Sequence, residues 1–156
     1  NNILKNTSNI NIDNIITTYF LDYHKNVVII LAGSFKDKIH VDKLKKYLDE
    51  HNIYSIYYYS SAHKNTKQVL SIIESYEKQN RKIIYVTIAG RSNALSGWVA
   101  SNSRFPTIAC PPFKDNIDLQ TNINSTLMCP SKVPVMTILE PENVAICIRN
   151  IFNLIN

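Results

Sequence analysis

The chain has 156 residues, 45% of them hydrophobic, enough for one substantial core and too little for two ordinary domains. Its 17 Lys and Arg outnumber 12 Asp and Glu for a formal net charge of +5, but they are dispersed and no basic-aromatic RNA motif accompanies them, so nucleic acid is not expected; the charge reads as a solvated basic surface, and an anionic small substrate fits equally well. Three widely spaced cysteines, Cys110, Cys129 and Cys147, support neither a disulfide framework nor a zinc site, and no apolar run reaches the roughly 18 residues of a membrane span, so a cytoplasmic protein with reduced thiols is expected.

Residues 1–26 are rich in Asn, Thr and Ser and read as an N-terminal appendage or linker ahead of a domain at 27–156. Within them only Ile15, Ile16, Tyr19 and Phe20 carry the spacing of a short helix. Val27 to Leu31 is a continuous β-branched and aliphatic run, which predicts a strand buried on both faces of a parallel sheet. Ile39, Leu44, Tyr47 and Leu48 then recur at helical spacing, and Ile53 to Tyr59 predicts a second strand. Val69, Leu70, Ile73 and Tyr76 mark the next helix, and Lys82 to Ile88 the third strand. Leu95, Trp98 and Val99 fit a helix, Thr107 to Cys110 a short strand, and Ile117 to Met128 a helix. Pro134 to Leu139 predicts a strand and Glu142 to Leu154 the last helix. This alternation predicts an α/β fold, a three-layer αβα sandwich around a central parallel sheet, Rossmann-like and of the flavodoxin-like kind. Ligands of such sheets sit at the carboxyl ends of the strands, which directs attention to the strand-to-helix loops.

The chain holds only three glycines, and Gly33 and Gly90 each follow a predicted strand. The first loop, Gly33-Ser34-Phe35-Lys36-Asp37, precedes a helix, so its amides can hold a phosphate, with Ser34 donating and Lys36 adding charge. Asp37 would repel a phosphate and suits sugar hydroxyls instead; equally, Ser34 or Asp37 serves as a helix N-cap. The second loop, Ser60-Ser61-Ala62-His63-Lys64, sets His63 at a strand's carboxyl end, where a general acid-base is useful. The other histidines, His24, His40 and His51, read as surface or helix-face residues. The third loop, Ala89-Gly90-Arg91-Ser92-Asn93, offers a fixed cation, a hydroxyl and an amide for a carboxylate or for charge developing on one. Ala109-Cys110-Pro111-Pro112 forms a rigid turn that can wall the same site. Cys110 is not read as a nucleophile, because no second histidine is expected beside it.

Taken together, these segments resemble the aminoimidazole ribonucleotide (AIR) carboxylase family. Ala89 to Asn93 followed by Ala109 to Pro112 looks like the class II enzymes, which use carbon dioxide directly. The class I enzymes, carboxyaminoimidazole ribonucleotide mutases, typically carry Gly and Ala where Arg91 and Ser92 stand and Arg where Lys64 stands. The resemblance runs from Val27 to Leu154 and includes Leu139-Glu140-Pro141-Glu142-Asn143. It implies that Ser34 and Asp37 contact the ribonucleotide, that His63 is the catalytic acid-base, that Lys64 helps hold the substrate or its carboxylate, and that Ser92 lies at the carbon dioxide site. Gly33, Lys36, Ser61, Gly90, Arg91 and Asn93 complete the expected substrate-binding set. It further implies no metal or other cofactor, a homo-oligomer, octameric in the family, and a purine-pathway synthetase domain either fused or separate. The chain departs from the pattern at Lys36, where the family has Ser, and at Asn122, Met128 and Lys132, where it has Asp, Arg and Gly. Lys36 can serve a phosphate, Met128 cannot supply an Arg's ionic contacts, and Lys132 is a poor substitute for a Gly at positive φ. These departures keep two other readings open: a catalytically impaired homologue that binds a nucleotide or a partner, and a class I mutase, which Arg91, Ser92 and Lys64 disfavour.

Overall fold

The computed structural model describes residues 25–155, so the short helix expected around Ile15 to Phe20 lies outside the described residues. Five parallel strands form one sheet: β1 (Asn26–Ala32), β2 (Ser55–Tyr59), β3 (Lys82–Ile88), β4 (Thr107–Ala109) and β5 (Met136–Thr137), in the order β2-β1-β3-β4-β5. That is the flavodoxin-like order, and it reverses direction between β1 and β3, where such folds bind ligands. The helices are α1 (Lys38–Glu50), led by a 3-10 turn at Phe35–Asp37, then α2 (Thr66–Glu77), α3 (Leu95–Asn102), α4 (Asn116–Leu127) and α5 (Pro141–Ile155).

The alternation of side chains along β1 builds the three layers. Val28, Ile30 and Ala32 pack with Val41, Leu44 and Leu48 of α1 and with Val144, Ile148 and Phe152 of α5. Val27, Ile29 and Leu31 face the other way, onto Val69, Ile73 and Tyr76 of α2 and Leu95 and Val99 of α3. A strand buried on both faces has no polar side to show, which is why β1 and β3 read as unbroken apolar runs. Each buried Ile or Leu contributes about 1.5–3 kcal/mol, so these two clusters dominate the stability. The exception is α4, whose buried residues are Asn122 and Thr126, while Ile117 and Leu127 are exposed. It is held to the rest by hydrogen bonds more than by apolar packing.

Three predicted strands come out shorter than expected, the one at Thr107 by a single residue, since β4 ends at Ala109 before Cys110. Ile53 does not join β2; its N–H bonds the carbonyl of Leu48 at 2.9 Å while Asn52 turns to a φ of 57°. This is a C-terminal helix cap with its apolar residue tucked back, so the hydrophobicity of Ile53 serves α1. The expected Pro134 to Leu139 strand shrinks to β5, Met136–Thr137, at the sheet edge. Pro134 has no N–H to give a ladder, and Val133 is bonded into a turn with Pro130 at 3.2 Å. The sheet also begins at Asn26, one residue before the expected domain start.

Lys132 adopts a φ of 67° on an exposed turn, so this position does demand left-handed backbone, and a β-carbon is strained there. Lys132→Gly is expected to stabilise the fold by about 0.5–1 kcal/mol, the strain relieved less the added freedom of the unfolded chain. Urea unfolding midpoints check it, and an unchanged or lower midpoint refutes it.

Candidate active site

Register brings the loops together. Ala32 at the end of β1 pairs with Tyr59 of β2 and with Ile88 of β3, so three strands finish level and their loops emerge side by side. The pairing runs on into the loops, with Gly33 N–H bonding the Ile88 carbonyl at 2.9 Å and Ser60 N–H the Ala32 carbonyl at 2.8 Å. Between them lies a cleft of about 270 Å³. Gly33, Ser34, Lys36 and Asp37 line it from the first loop, Ser61 and His63 from the second, and Gly90, Arg91 and Ser92 from the third.

In the first loop, Ser34 accepts the Lys36 N–H on its Oγ at 3.1 Å and so caps the 3-10 turn, while its own proton stays free to be donated. Asp37 stands at the N-cap position of α1 but makes no capping bond with its side chain. Burial pushes its carboxyl above the ordinary carboxylate range, against a lowering backbone hydrogen bond from Ser34. Asp37 is therefore free to accept a donor from a ligand, and an incoming hydroxyl would offset its desolvation.

The second loop is braced by its own backbone. Asn65 N–H bonds the Ser61 carbonyl at 2.8 Å, the Thr66 hydroxyl donates to the Ala62 carbonyl at 2.6 Å, and Lys64 N–H donates to Ser61 Oγ at 3.3 Å. His63 is an exposed side chain on this fixed turn. Lys64 is exposed too and stands off the cleft lining.

The third loop divides between ligand side and protein side. Arg91 is exposed, with its Nε 3.9 Å from Asp118 of α4. Ser92 holds a φ of 53°, an uncommon conformation for a residue with a β-carbon, of the kind concentrated at functional loops. Asn93 turns inward: it is 7% exposed, its Nδ2 donates to Thr126 Oγ1 at 3.0 Å and its Oδ1 accepts the Ser96 N–H at 3.2 Å. Its amide is thus engaged with α4 and the start of α3 and does not line the cleft.

Two features were not legible in the sequence. His40, one turn into α1, has its Nε2 3.2 Å from Cys110 Sγ, so a histidine does stand beside that cysteine, contrary to expectation. Burial, then the charge of Lys43, lower the His40 pKa, with Glu140 opposing, and burial pushes the Cys110 thiol up to about 12. A neutral imidazole facing a neutral buried thiol is no nucleophile pair, and Cys110 lies in the core beneath the loops, so that of the expected wall only Pro112 borders a hollow beside the cleft. The second feature is Asn122. It is 2% exposed, and its Nδ2 donates to the Pro112 carbonyl at 2.8 Å. A carboxylate cannot make that bond unless protonated, so the amide supplies a donor here, while its Oδ1 is buried without a hydrogen-bond partner among the described residues. Met128, in contrast, is 82% exposed and takes up no ionic role.

Among the described residues, no three His, Cys, Asp or Glu side chains gather closely enough to hold a metal, and no helix is long and apolar enough to cross a membrane.

The AIR carboxylase family model matches residues 27–156. A phosphoribosylaminoimidazole carboxylase of Treponema denticola is 41% identical over 82% of this chain and 80% of its own length, and one of Archaeoglobus fulgidus is 40% identical over 81% and 68%. A bifunctional human protein, phosphoribosylaminoimidazole carboxylase joined to a succinocarboxamide synthetase, is 35% identical over 83% of this chain and 30% of its own length. The solved structure of Treponema denticola PurE superposes with a TM-score of 0.80 at 40% identity, covering 84% of this chain and 82% of that one. With the family model matching residues 27–156 and the same fold in a relative of this identity, the chain belongs to the AIR carboxylase family, enzymes that carboxylate aminoimidazole ribonucleotide in purine biosynthesis.

Proposed function

We propose that the site works in the class II manner, joining carbon dioxide directly to AIR without ATP, with His63 as the acid-base. The observation that carries this reading is the meeting of the His63 loop with the Arg91-Ser92 loop across one cleft that Asp37 also borders. The aminoimidazole ring is an electron-rich, enamine-like nucleophile. Its ring carbon attacks the carbon of CO2, a C–C bond forms, and the charge passes to the new carboxylate. The proton displaced from that ring carbon goes to His63, and the ring regains its aromatic system. Holding the two reactants in place is most of the task, because placing them within reach removes the entropic part of the barrier.

Arg91 and the Ser92 hydroxyl are suited to the carboxylate as it forms, since donors fixed before the reaction need no rearrangement during it. Lys64, beside His63, supplies further positive charge. Asp37 takes the ribose hydroxyls, and Ser34, Ser61 and the backbone at Gly33 and Gly90 shape the floor. The protein acts in the cytoplasm as a homo-oligomer, and its product feeds the synthetase step, which some relatives carry on the same chain.

One assay tests the class. Purified protein is mixed with AIR and bicarbonate in the absence of ATP, and in a parallel reaction with the N-carboxylated form of AIR. Product from AIR and CO2 alone is expected. Turnover only of the N-carboxylated substrate assigns the site to the mutase class, and turnover of neither assigns an impaired homologue.

A further inference from the structure

We propose that Asp118, in the first turn of α4, is a positioning residue for Arg91: it holds the guanidinium by its Nε and leaves the two terminal nitrogens for the carboxylate that forms in the cleft. This rests on the reading above in which Arg91 meets that carboxylate.

The backbone brings the two residues together. At Gly90 the third loop runs close against α4, where a β-carbon would stand 3.4 Å from Asn122 Nδ2. Asn122 lies one helical turn beyond Asp118 on the same face of α4, and both line a second hollow of about 460 Å³ beside the cleft. On the far side of Arg91 the loop is tied to α4 again, by Asn93 N–H on Ser125 Oγ at 3.1 Å and Asn93 Nδ2 on Thr126 Oγ1 at 3.0 Å. Arg91 is thus bracketed by two contacts with one helix. It borders both the hollow and the cleft, whereas Asp118 borders the hollow and not the cleft. An incoming carboxylate therefore meets the cation before it meets Asp118.

The pair is unequal, and that decides which residue orients the other. Asp118 is fixed at the start of α4: its Oδ2 accepts the Lys114 N–H at 3.2 Å, and its own N–H donates to Oδ1 of the N-cap Asp115 at 2.9 Å. Arg91 is exposed, and it meets Asp118 Oδ1 through Nε at 3.9 Å. A guanidinium approached at Nε keeps both terminal nitrogens, the fork that matches the two oxygens of a carboxylate. A long side chain with no such anchor loses rotamer freedom when it closes on a ligand. With Asp118 beside it, part of that ordering precedes binding.

A double-mutant cycle tests the arrangement. Calorimetry at low salt, where exposed charges are least screened, gives the affinities of four proteins for AIR and for its carboxylated product, with Tm recorded for each. The proteins are the unmodified chain, Asp118→Asn, Arg91→Gln and the double variant. Asn keeps the size of Asp118 and an oxygen for the Lys114 N–H, so α4 keeps its start. Coupling across an exposed ion pair is modest, so Asp118→Asn should weaken product binding about two- to five-fold. AIR, which lacks the carboxylate, should bind unchanged, and in the Arg91→Gln background the Asp118 substitution should have no effect. A loss shared by AIR and product, or one that persists without Arg91, makes Asp118 a structural residue of α4 and overturns the proposal. Tighter product binding by Asp118→Asn also overturns it, since Asp118 would then be holding Arg91 away from the ligand. If Arg91→Gln loses product affinity and Asp118→Asn does not, the proposal alone fails and the role of Arg91 stands. If Arg91→Gln binds product as the unmodified chain does, the reading of Arg91 fails and takes the proposal with it. Coupling without any turnover of AIR and CO2 removes the carboxylase reading and leaves Asp118 as the anchor of Arg91.

Discussion

Replacing His63 by Asn will lower kcat for AIR carboxylation about 10²–10⁴-fold, the usual worth of a positioned general acid-base, with KM moving much less. Asn is close to imidazole in reach and polarity but cannot take the ring proton at neutral pH, so the substitution removes the chemistry and leaves the contact. The loop will survive the change, because its geometry is set by Asn65 N–H on the Ser61 carbonyl and Thr66 on the Ala62 carbonyl, neither of which involves the His63 side chain. An exposed ring on a braced turn also leaves room for rescue: millimolar imidazole added to the Asn variant should restore part of the rate, which a purely structural defect would not allow. Turnover that survives the substitution removes His63 from the acid-base role and leaves solvent as the proton acceptor.

The position of His63 was legible because loops at strand ends can be counted from the apolar runs alone. Val27 to Leu31 and Lys82 to Ile88 are buried on both faces, so their composition announces them and fixes where the loops at Gly33 and Gly90 begin. Signals that depend on partners far along the chain were not legible. Ile53 looks like a strand residue until its N–H is seen closing the end of α1 on Leu48. His40 and Lys43 look like the wet face of an amphipathic helix, and only the fold shows that this face borders a groove with Phe113 and Lys114 on its far side. The same holds for Cys110, whose histidine neighbour lies 70 residues away in sequence. The departures at Asn122, Met128 and Lys132 likewise separate only in three dimensions: a buried amide with a carbonyl partner, an exposed thioether, and a strained turn.

Asn93→Ala is expected to cost about 2–3 kcal/mol of stability, because it removes a buried hydrogen bond to Thr126 Oγ1 and the acceptor of the Ser96 N–H in the first turn of α3. For a domain of this size that is a fall in Tm of roughly 5–10 °C. The consequence for the site follows from where the two bonds lead. The fully buried residues of α4, Asn122 and Thr126, are polar and its apolar Leu119 and Ile123 are only half-buried, so it has little apolar packing to fall back on. Asn93 is its tie to the third loop, supported by its own backbone N–H on Ser125 Oγ at 3.1 Å. Cutting that tie loosens Arg91 and the left-handed Ser92 immediately before it, so kcat should fall alongside Tm. Asn93→Asp sharpens the test, since it keeps the cap on Ser96 and gives up only the donor to Thr126; about half of the lost stability should return. A residue that merely touched substrate would behave in the opposite way, raising KM in the Ala variant and leaving the melting curve where it was. Thermal unfolding of both variants beside their KM and kcat therefore decides whether the third loop is held from below by Asn93 or uses it to hold the ligand.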